Sequence, residues 1–367
     1  MPRPIRARLD WSALRHNHGI ARRHAGNAHI WSVIKADAYG HGVLPAARAL
    51  MGATDGFALV EIEGAVALRE AGIAQPILML EGPYQADDLN LFAEFSLIPT
   101  LHTLWQVDAL IAAQLPVRLP VYVKLNTGMN RLGFNADEFA LALARLDAAD
   151  CVASITLMTH FSDADEARGI AEQLARFHVM AANTALPASL ANSAALLRFP
   201  EAMAISHGNA VRPGIMLYGA SPFPALQSAA ALGLKPVMTL ESELIALRTL
   251  AAGDTIGYGS SFVADAPMRV GIVACGYADG YPRHAPTGTP VSVAGVRTRT
   301  LGRVSMDKLC VDLTGLSAKV GVGDTAILWG GEGCGHVPAD EVASAAGTVA
   351  YELFCALAPR VPVLEVN

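Results

Sequence analysis

The spacing of apolar segments predicts an α/β protein: an N-terminal (β/α)8 barrel of the TIM type followed by a C-terminal mostly-β domain. Three observations carry this reading. Short apolar stretches alternate with Ala-rich helical patterns about eight times over roughly the first 220 residues, the arithmetic of an eight-unit barrel. Beyond that point the texture changes to strands divided by turn residues. No G-x-G-x-x-G follows the first strand, which weighs against the open doubly wound sheet.

The barrel strands are read at residues 29–36, 56–60, 76–82, 97–101, 121–126, 153–161, 189–193 and 211–219. Between them, residues 61–71, 136–146 and 166–184 place apolar side chains three and four apart, the period of a helix with one buried face. Ser221-Pro222-Phe223-Pro224 reads as a linker, so the domains are set at residues 1–225 and 226–367. Strands of the second are read at residues 239–250, 268–275, 290–299, 308–313 and 324–328, with turns at Gly253, Gly315, Gly321 and Gly323 and one late helix over 339–358.

At 367 residues and 52% hydrophobic content, the chain is longer than one ordinary domain. Its 27 basic and 33 acidic residues are interspersed, for a net charge of -6, and no basic stripe invites nucleic acid or an anionic membrane. No apolar run is long enough to span a bilayer. The basic residues 1–6 precede no apolar segment, so no signal peptide is read and a cytoplasmic location is expected. Cys151, Cys275, Cys310, Cys334 and Cys355 are odd in number and far apart, which predicts reduced structural thiols rather than disulfides or a metal site.

The most informative stretch is Val33-Ile34-Lys35-Ala36-Asp37-Ala38-Tyr39-Gly40-His41-Gly42. An amine at the end of an apolar strand is expected to lie in little water, which lowers its pKa and frees the neutral form to make a Schiff base. Tyr39 and the glycines add a hydroxyl and open N–H groups for an anion. The plain alternative is a lysine that snorkels to solvent.

Chemistry on such a barrel gathers at the C-terminal strand ends. Lys35, Arg131, His160, Ser193 and Arg212 stand near those ends, the last only if the eighth strand stops before residue 219. Such a set suits a ligand with phosphate and carboxylate groups. Singly, His160 reads as a core histidine, Arg131 as a surface ion pair and Ser193 as a helix cap. Their common end of the barrel is what argues for a site.

Val33–Gly42 resembles the pyridoxal-phosphate lysine motif of bacterial alanine racemases, and the likeness runs along the whole chain. It includes Asn126-Thr127-Gly128-Met129-Asn130-Arg131-Leu132-Gly133-Phe134, Met158-Thr159-His160-Phe161, Ala191-Asn192-Ser193-Ala194 and Val211-Arg212-Pro213-Gly214-Ile215. Later come Gly257-Tyr258-Gly259-Ser260, Gly276-Tyr277-Ala278-Asp279-Gly280, Gly302-Arg303-Val304-Ser305-Met306-Asp307 and Tyr351-Glu352.

The resemblance implies alanine racemisation, supplying D-alanine for peptidoglycan. It implies pyridoxal phosphate held as an aldimine on Lys35, with its phosphate on Tyr39, Ser193, Tyr351 and the backbone of Gly214 and Ile215. Arg212 would face the pyridine nitrogen and, keeping its own proton, leave that nitrogen unprotonated. His160 would sit between Arg212 and a tyrosine. Arg131 and the Met306 N–H would meet the substrate carboxylate. Lys35 would take the proton from D-alanine and Tyr258, from the partner subunit of a homodimer, the proton from L-alanine. Lys124 matches a lysine that is carbamylated in some members and orients Arg131. Tyr277 and Tyr351 would narrow the entrance. Ser305 replaces a cysteine common in the family.

Other readings stay open at this point. A broad-specificity or serine racemase would share the scaffold. A decarboxylase of similar architecture would carry an acid where Arg212 stands. A non-enzymatic pyridoxal-phosphate carrier would lack the β domain, and a cofactor-free aldolase would not need the phosphate set.

Overall fold

The computed structural model describes residues 3–204 and 208–366. The described residues divide into two compact units: Arg15–Ala38 with Gly42–Leu217, and residues 3–14 with Tyr39–His41 and residues 218–366.

The first strand, β1 (Arg6–Asp10), belongs to the second unit. The first unit is a closed parallel barrel of β2 (His29–Val33), β3 (Gly56–Leu59), β4 (Ile77–Met79), β5 (Leu97–Leu101), β6 (Leu119–Lys124), β7 (Val152–Met158), β8 (Ala188–Asn192) and β9 (Asn209–Arg212). Each strand pairs with the next, and β9 closes on β2 through His29–Ala210 and Ile30–Val211. These strands are mostly apolar and buried, with polar residues such as Lys124 and Arg212 at their ends, because helices cover the outside and side chains fill the inside. All four residues of β3 are buried. A Cβ on Gly56 would stand 2.4 Å from the Trp31 ring, so only glycine fits there.

Several strands are shorter than their apolar runs suggested. The second stops at Val33, and β9 stops at Arg212 rather than near residue 219. Pro213 lacks the N–H to continue the ladder, and Ile215–Tyr218 turns as a 3-10 helix. The helix expected over 166–184 is confined to Ala171–Ala181. That of Ala136–Asp147 begins at a capping box between Asn135 and Glu138.

The second unit is built on β10 (Met238–Leu250), β11 (Thr255–Ile256), β12 (Phe262–Val263), β13 (Met268–Val273), β14 (Pro290–Val293), β15 (Val296–Leu301), β16 (Leu309–Asp312), β17 (Thr325–Trp329) and β18 (Val363–Val366). The eight-stranded sheet runs β13-β16-β15-β14-β17-β10-β1-β18. The first half of β10 pairs with β1 and β17, and its second half with β13. Residues 290–299 are not one strand but a hairpin, turned at Ala294 and Gly295, both with positive φ. The expected late helix is two, Ala339–Ala345 and Ala350–Cys355, broken where Gly347 adopts φ 71°. Ser221 and Phe223 are buried, so the segment read as a linker is packed rather than loose.

Candidate active site

In the barrel unit, four cationic side chains and one histidine share the C-terminal strand ends. Arg212 closes β9 and is 4% exposed. Its Nη1 donates to the Ser189 carbonyl (2.7 Å) and hydroxyl (2.6 Å), and its Nη2 to the carbonyls of Thr159 (2.6 Å) and Leu190 (3.4 Å). No carboxylate pairs with it among the described residues. Burial lowers its pKa to about 10, so it stays charged at neutral pH. Lys124 closes β6 and is 8% exposed. Burial first, then Arg212 and Arg131, lower its pKa to about 8 against the pull of Glu81. Burial, then Arg212, Lys124, Arg131 and Lys35, hold the His160 imidazole well below the usual histidine range. His160 feels the charge of Arg212, but no hydrogen bond joins their side chains.

Lys35 stands two residues beyond β2 and is half-buried. The dry environment expected of it belongs instead to Lys124. Arg131 is exposed, in a loop that Asn126 closes by accepting from the N–H groups of Gly128 (3.1 Å) and Asn130 (3.0 Å). Ser193 is not the cap of its helix. Asn192 takes that role, accepting from the Ala195 N–H at 2.9 Å, which leaves Ser193 Oγ to accept from Gly214 N–H at 2.8 Å. One hydroxyl thus ties the end of β8 to the Gly214–Ile215 turn.

A feature that composition did not signal follows Lys35. From Ala36 to Gly40 every φ is positive: 53, 52, 53, 55 and 75°. Only one of the five is glycine, and a left-handed turn costs each other residue roughly 1–2 kcal/mol. The turn is pinned by bonds from Ala36 N–H to the Glu61 carboxylate (3.2 and 3.3 Å), Gly42 N–H to the Asp37 carbonyl (2.9 Å) and Val43 N–H to Asp37 Oδ1 (2.7 Å). Strain held this firmly is a mark of functional segments.

In the second unit, Tyr39 lies with its ring centroid 4.6 Å from that of Tyr218 and 5.9 Å from that of Tyr351. Burial, then Tyr351 and Cys355, push its pKa up, so it is a neutral hydroxyl. A Cβ on Gly40 would meet the Phe354 carbonyl oxygen at 2.2 Å, which fixes glycine beside Tyr39. Tyr258 is 68% exposed, on a 3-10 turn flanked by Gly257 (φ 73°) and Gly259 (φ 70°). Those conformations are open to glycine and let the loop project its ring. Tyr277 and Met306 are exposed on neighbouring turns, joined where Tyr277 N–H donates to Ser305 (3.1 Å) and Ala278 N–H to Met306 (3.0 Å).

A family model described as alanine racemase, N-terminal domain, matches residues 9–222, and one described as alanine racemase, C-terminal domain, matches residues 237–364. The chain belongs to the alanine racemase family. A curated alanine racemase of Polaromonas naphthalenivorans is 52% identical over 367 residues, covering 99% of each chain. One of Salmonella typhimurium, named as catabolic, is 51% identical over 362 residues, again covering 99% of each. The crystal structure of the biosynthetic alanine racemase from Pseudomonas aeruginosa has a TM-score of 0.94 and 43% identity, with 100% of both chains covered. The barrel and mostly-β domain are this family's architecture, and the chain is an amino-acid isomerase that depends on pyridoxal phosphate.

The residues present fit that cofactor. A half-exposed amine for its aldehyde, a hydroxyl released from capping duty for its phosphate, and a buried guanidinium without a carboxylate partner share one end of the barrel. Among the described residues no helix is long and apolar enough to cross a membrane.

Proposed function

We propose that this chain racemises alanine with two bases, Lys35 on one face of the substrate α-carbon and Tyr258 of the partner subunit on the other. The observation that supports this most is the cation set around Arg212, which leaves positive charge for an anionic ligand to answer. When bound, pyridoxal phosphate supplies the electron sink that acidifies the α-proton. Lys35 would hold the cofactor and then carry the proton of D-alanine on Nζ. Tyr39, Ser193, Tyr351 and the backbone of Gly214 and Ile215 would receive the phosphate, Ser193 by turning its Oγ from Gly214. Arg212 would face the pyridine nitrogen, with His160 beside it as a neutral imidazole. Arg131 and the Met306 N–H would orient the substrate carboxylate, and Tyr277 with Tyr351 would narrow the way in.

Residues 1–225 would then hold the cofactor, and residues 226–367 would complete the site of the partner in a homodimer. A base lent by a neighbour makes the dimer necessary for turnover. Lys124 would carry a carbamate: its neutral amine adds CO2 and loses a proton, and the resulting anion would orient Arg131. We place the enzyme in the cytoplasm as a source of D-alanine for peptidoglycan; no disulfide joins cysteines among the described residues, in keeping with a reducing compartment.

Deuterium exchange at the α-carbon tests this reading. Tyr258→Phe is expected to slow exchange from L-alanine at least about a hundredfold more than from D-alanine. Equal losses on both enantiomers would end the two-base assignment. Mixing inactive Lys35→Ala and Tyr258→Ala subunits is expected to restore activity, and no recovery in verified mixed dimers would end the shared site.

A further inference from the structure

Met306 lies in an irregular loop between β15 and β16. Its carbonyl is taken by Ala278, but its own N–H donates to no acceptor among the described residues. A main-chain donor can select a ligand only if the backbone behind it does not rotate. Here the backbone is held from behind. Gly276 packs so closely that a Cβ would stand 2.3 Å from the Ser305 carbonyl oxygen and 2.4 Å from that of Met306.

Behind both turns sits Asp279, 0% exposed. Its Oδ2 accepts from Gly276 N–H (2.9 Å) and Arg3 (3.0 Å), and its Oδ1 from Arg3 (2.7 Å) and Arg360 (2.7 Å). The same arginines reach the Met306 loop: Arg3 donates to the Asp307 carbonyl (3.2 Å) and Arg360 to the Asp307 carboxylate (2.7 Å). Arg3 precedes β1 and Arg360 precedes β18, so the two ends of the chain meet on one aspartate. Two arginines against two carboxylates leave the cluster neutral. It attracts no ligand itself, and its bonds run to the backbone that presents one.

We infer that Arg3, Asp279, Arg360 and Asp307 are positioning residues that hold the Met306 N–H where it receives the substrate carboxylate. This rests on Met306 being that donor. If it is, loosening the cluster weakens recognition of the carboxylate and leaves recognition of the amine alone.

Three probes separate the two in the holoenzyme: alanine, propionate as a carboxylate without an amine, and ethylamine as an amine without a carboxylate, the last read from the cofactor's visible spectrum. Arg360→Ala is expected to raise KM for alanine and the inhibition constant of propionate about tenfold each, with ethylamine affinity and bound-cofactor absorbance unchanged. Arg360→Lys recovers part of the loss. Asp307→Asn, on the half-exposed side of the cluster, gives the same pattern more weakly and serves if the truncation lowers the folded yield. Propionate affinity within about twofold of wild type, or equal losses for propionate and ethylamine, overturns the inference. A wild-type enzyme that racemises alanine and binds propionate upholds the functional reading whichever way the variants fall. A wild type that does neither fails the functional reading, and the inference falls with it.

Discussion

The two units hold buried charge in opposite ways. In the barrel, Arg212 is met by carbonyls and a hydroxyl, and its charged neighbours Lys124, Arg131 and Lys35 share its sign. In the β unit, Asp279 is fully buried but is answered by Arg3 and Arg360. A buried charge without a counterpart costs folding free energy, and the lowered pKa values of Lys124 and Arg212 record that cost. The Asp279 cluster is complete within the chain and can serve as scaffold. In the barrel cluster Glu81 offsets Lys124 alone, and the remaining positive charge would be answered by an anion from outside, the place the proposed function gives to the cofactor.

The largest test of this contrast is Arg212→Leu. Catalysis is expected to fall by about 10² to 10³, the usual cost of removing an oriented charge from a reacting centre. Thermal stability measured without cofactor is expected to change little, because relief of the desolvated charge offsets the carbonyls and hydroxyl left without a donor. A parallel fall in activity and cofactor-free stability would make Arg212 an ordinary structural residue.

Next in size is the effect of Lys124 on stability, measured in bicarbonate-free buffer. The unfolded chain keeps this proton to about pH 10.5, whereas the folded protein gives it up at about 8. Between those values the unfolded state binds more protons, so stability rises with pH and the penalty is fully present below pH 8. The difference, 10.5 less 8, sets an upper figure of about 3 kcal/mol. Lys124→Met, of similar length, is expected to be more stable than wild type at pH 7 and to lose that advantage as pH approaches 10. Bicarbonate narrows the gap at pH 8 if a carbamate forms, since the new anion relieves the like-charge crowding. A pH-independent difference between the two proteins would remove Lys124 from the cluster.

What could be read from residues alone follows the same division. Lys35, His160 and Arg212 were legible because a polar side chain at the end of an apolar run is a local event. The environment of each was not. Lys124 ends Val121-Tyr122-Val123 as Lys35 ends Trp31-Ser32-Val33-Ile34, yet only Lys124 is shut from water, because that depends on what the neighbouring strands bring. Asp279 in Gly276-Tyr277-Ala278-Asp279-Gly280 reads as an exposed turn, and nothing local reveals arginines 276 and 81 residues away. For the same reason β1, written Arg6-Ala7-Arg8-Leu9-Asp10, gives no hint that its partners are β10 and β18. The left-handed turn escaped because Ala36 to Tyr39 contain no glycine; Gly40 and Gly42 were the available sign.

The smallest expected effect is a control on burial. Arg168 and Glu172 pair at 2.9 Å on the helix side of the barrel unit, a distance close to those around Asp279. Distance alone would rank the pairs together. Both of these side chains are more than 60% exposed, however, so water competes for each charge and salt screens what remains. Arg168→Ala is therefore expected to change stability by less than about 0.5 kcal/mol, and kcat/KM not at all. Arg3→Ala, which strips a partner from a fully buried carboxylate, is expected to cost several times more. Chemical denaturation of the two variants side by side decides it. Equal losses would mean that burial does not separate scaffold from surface here, and the contrast between the two units would lose its physical basis.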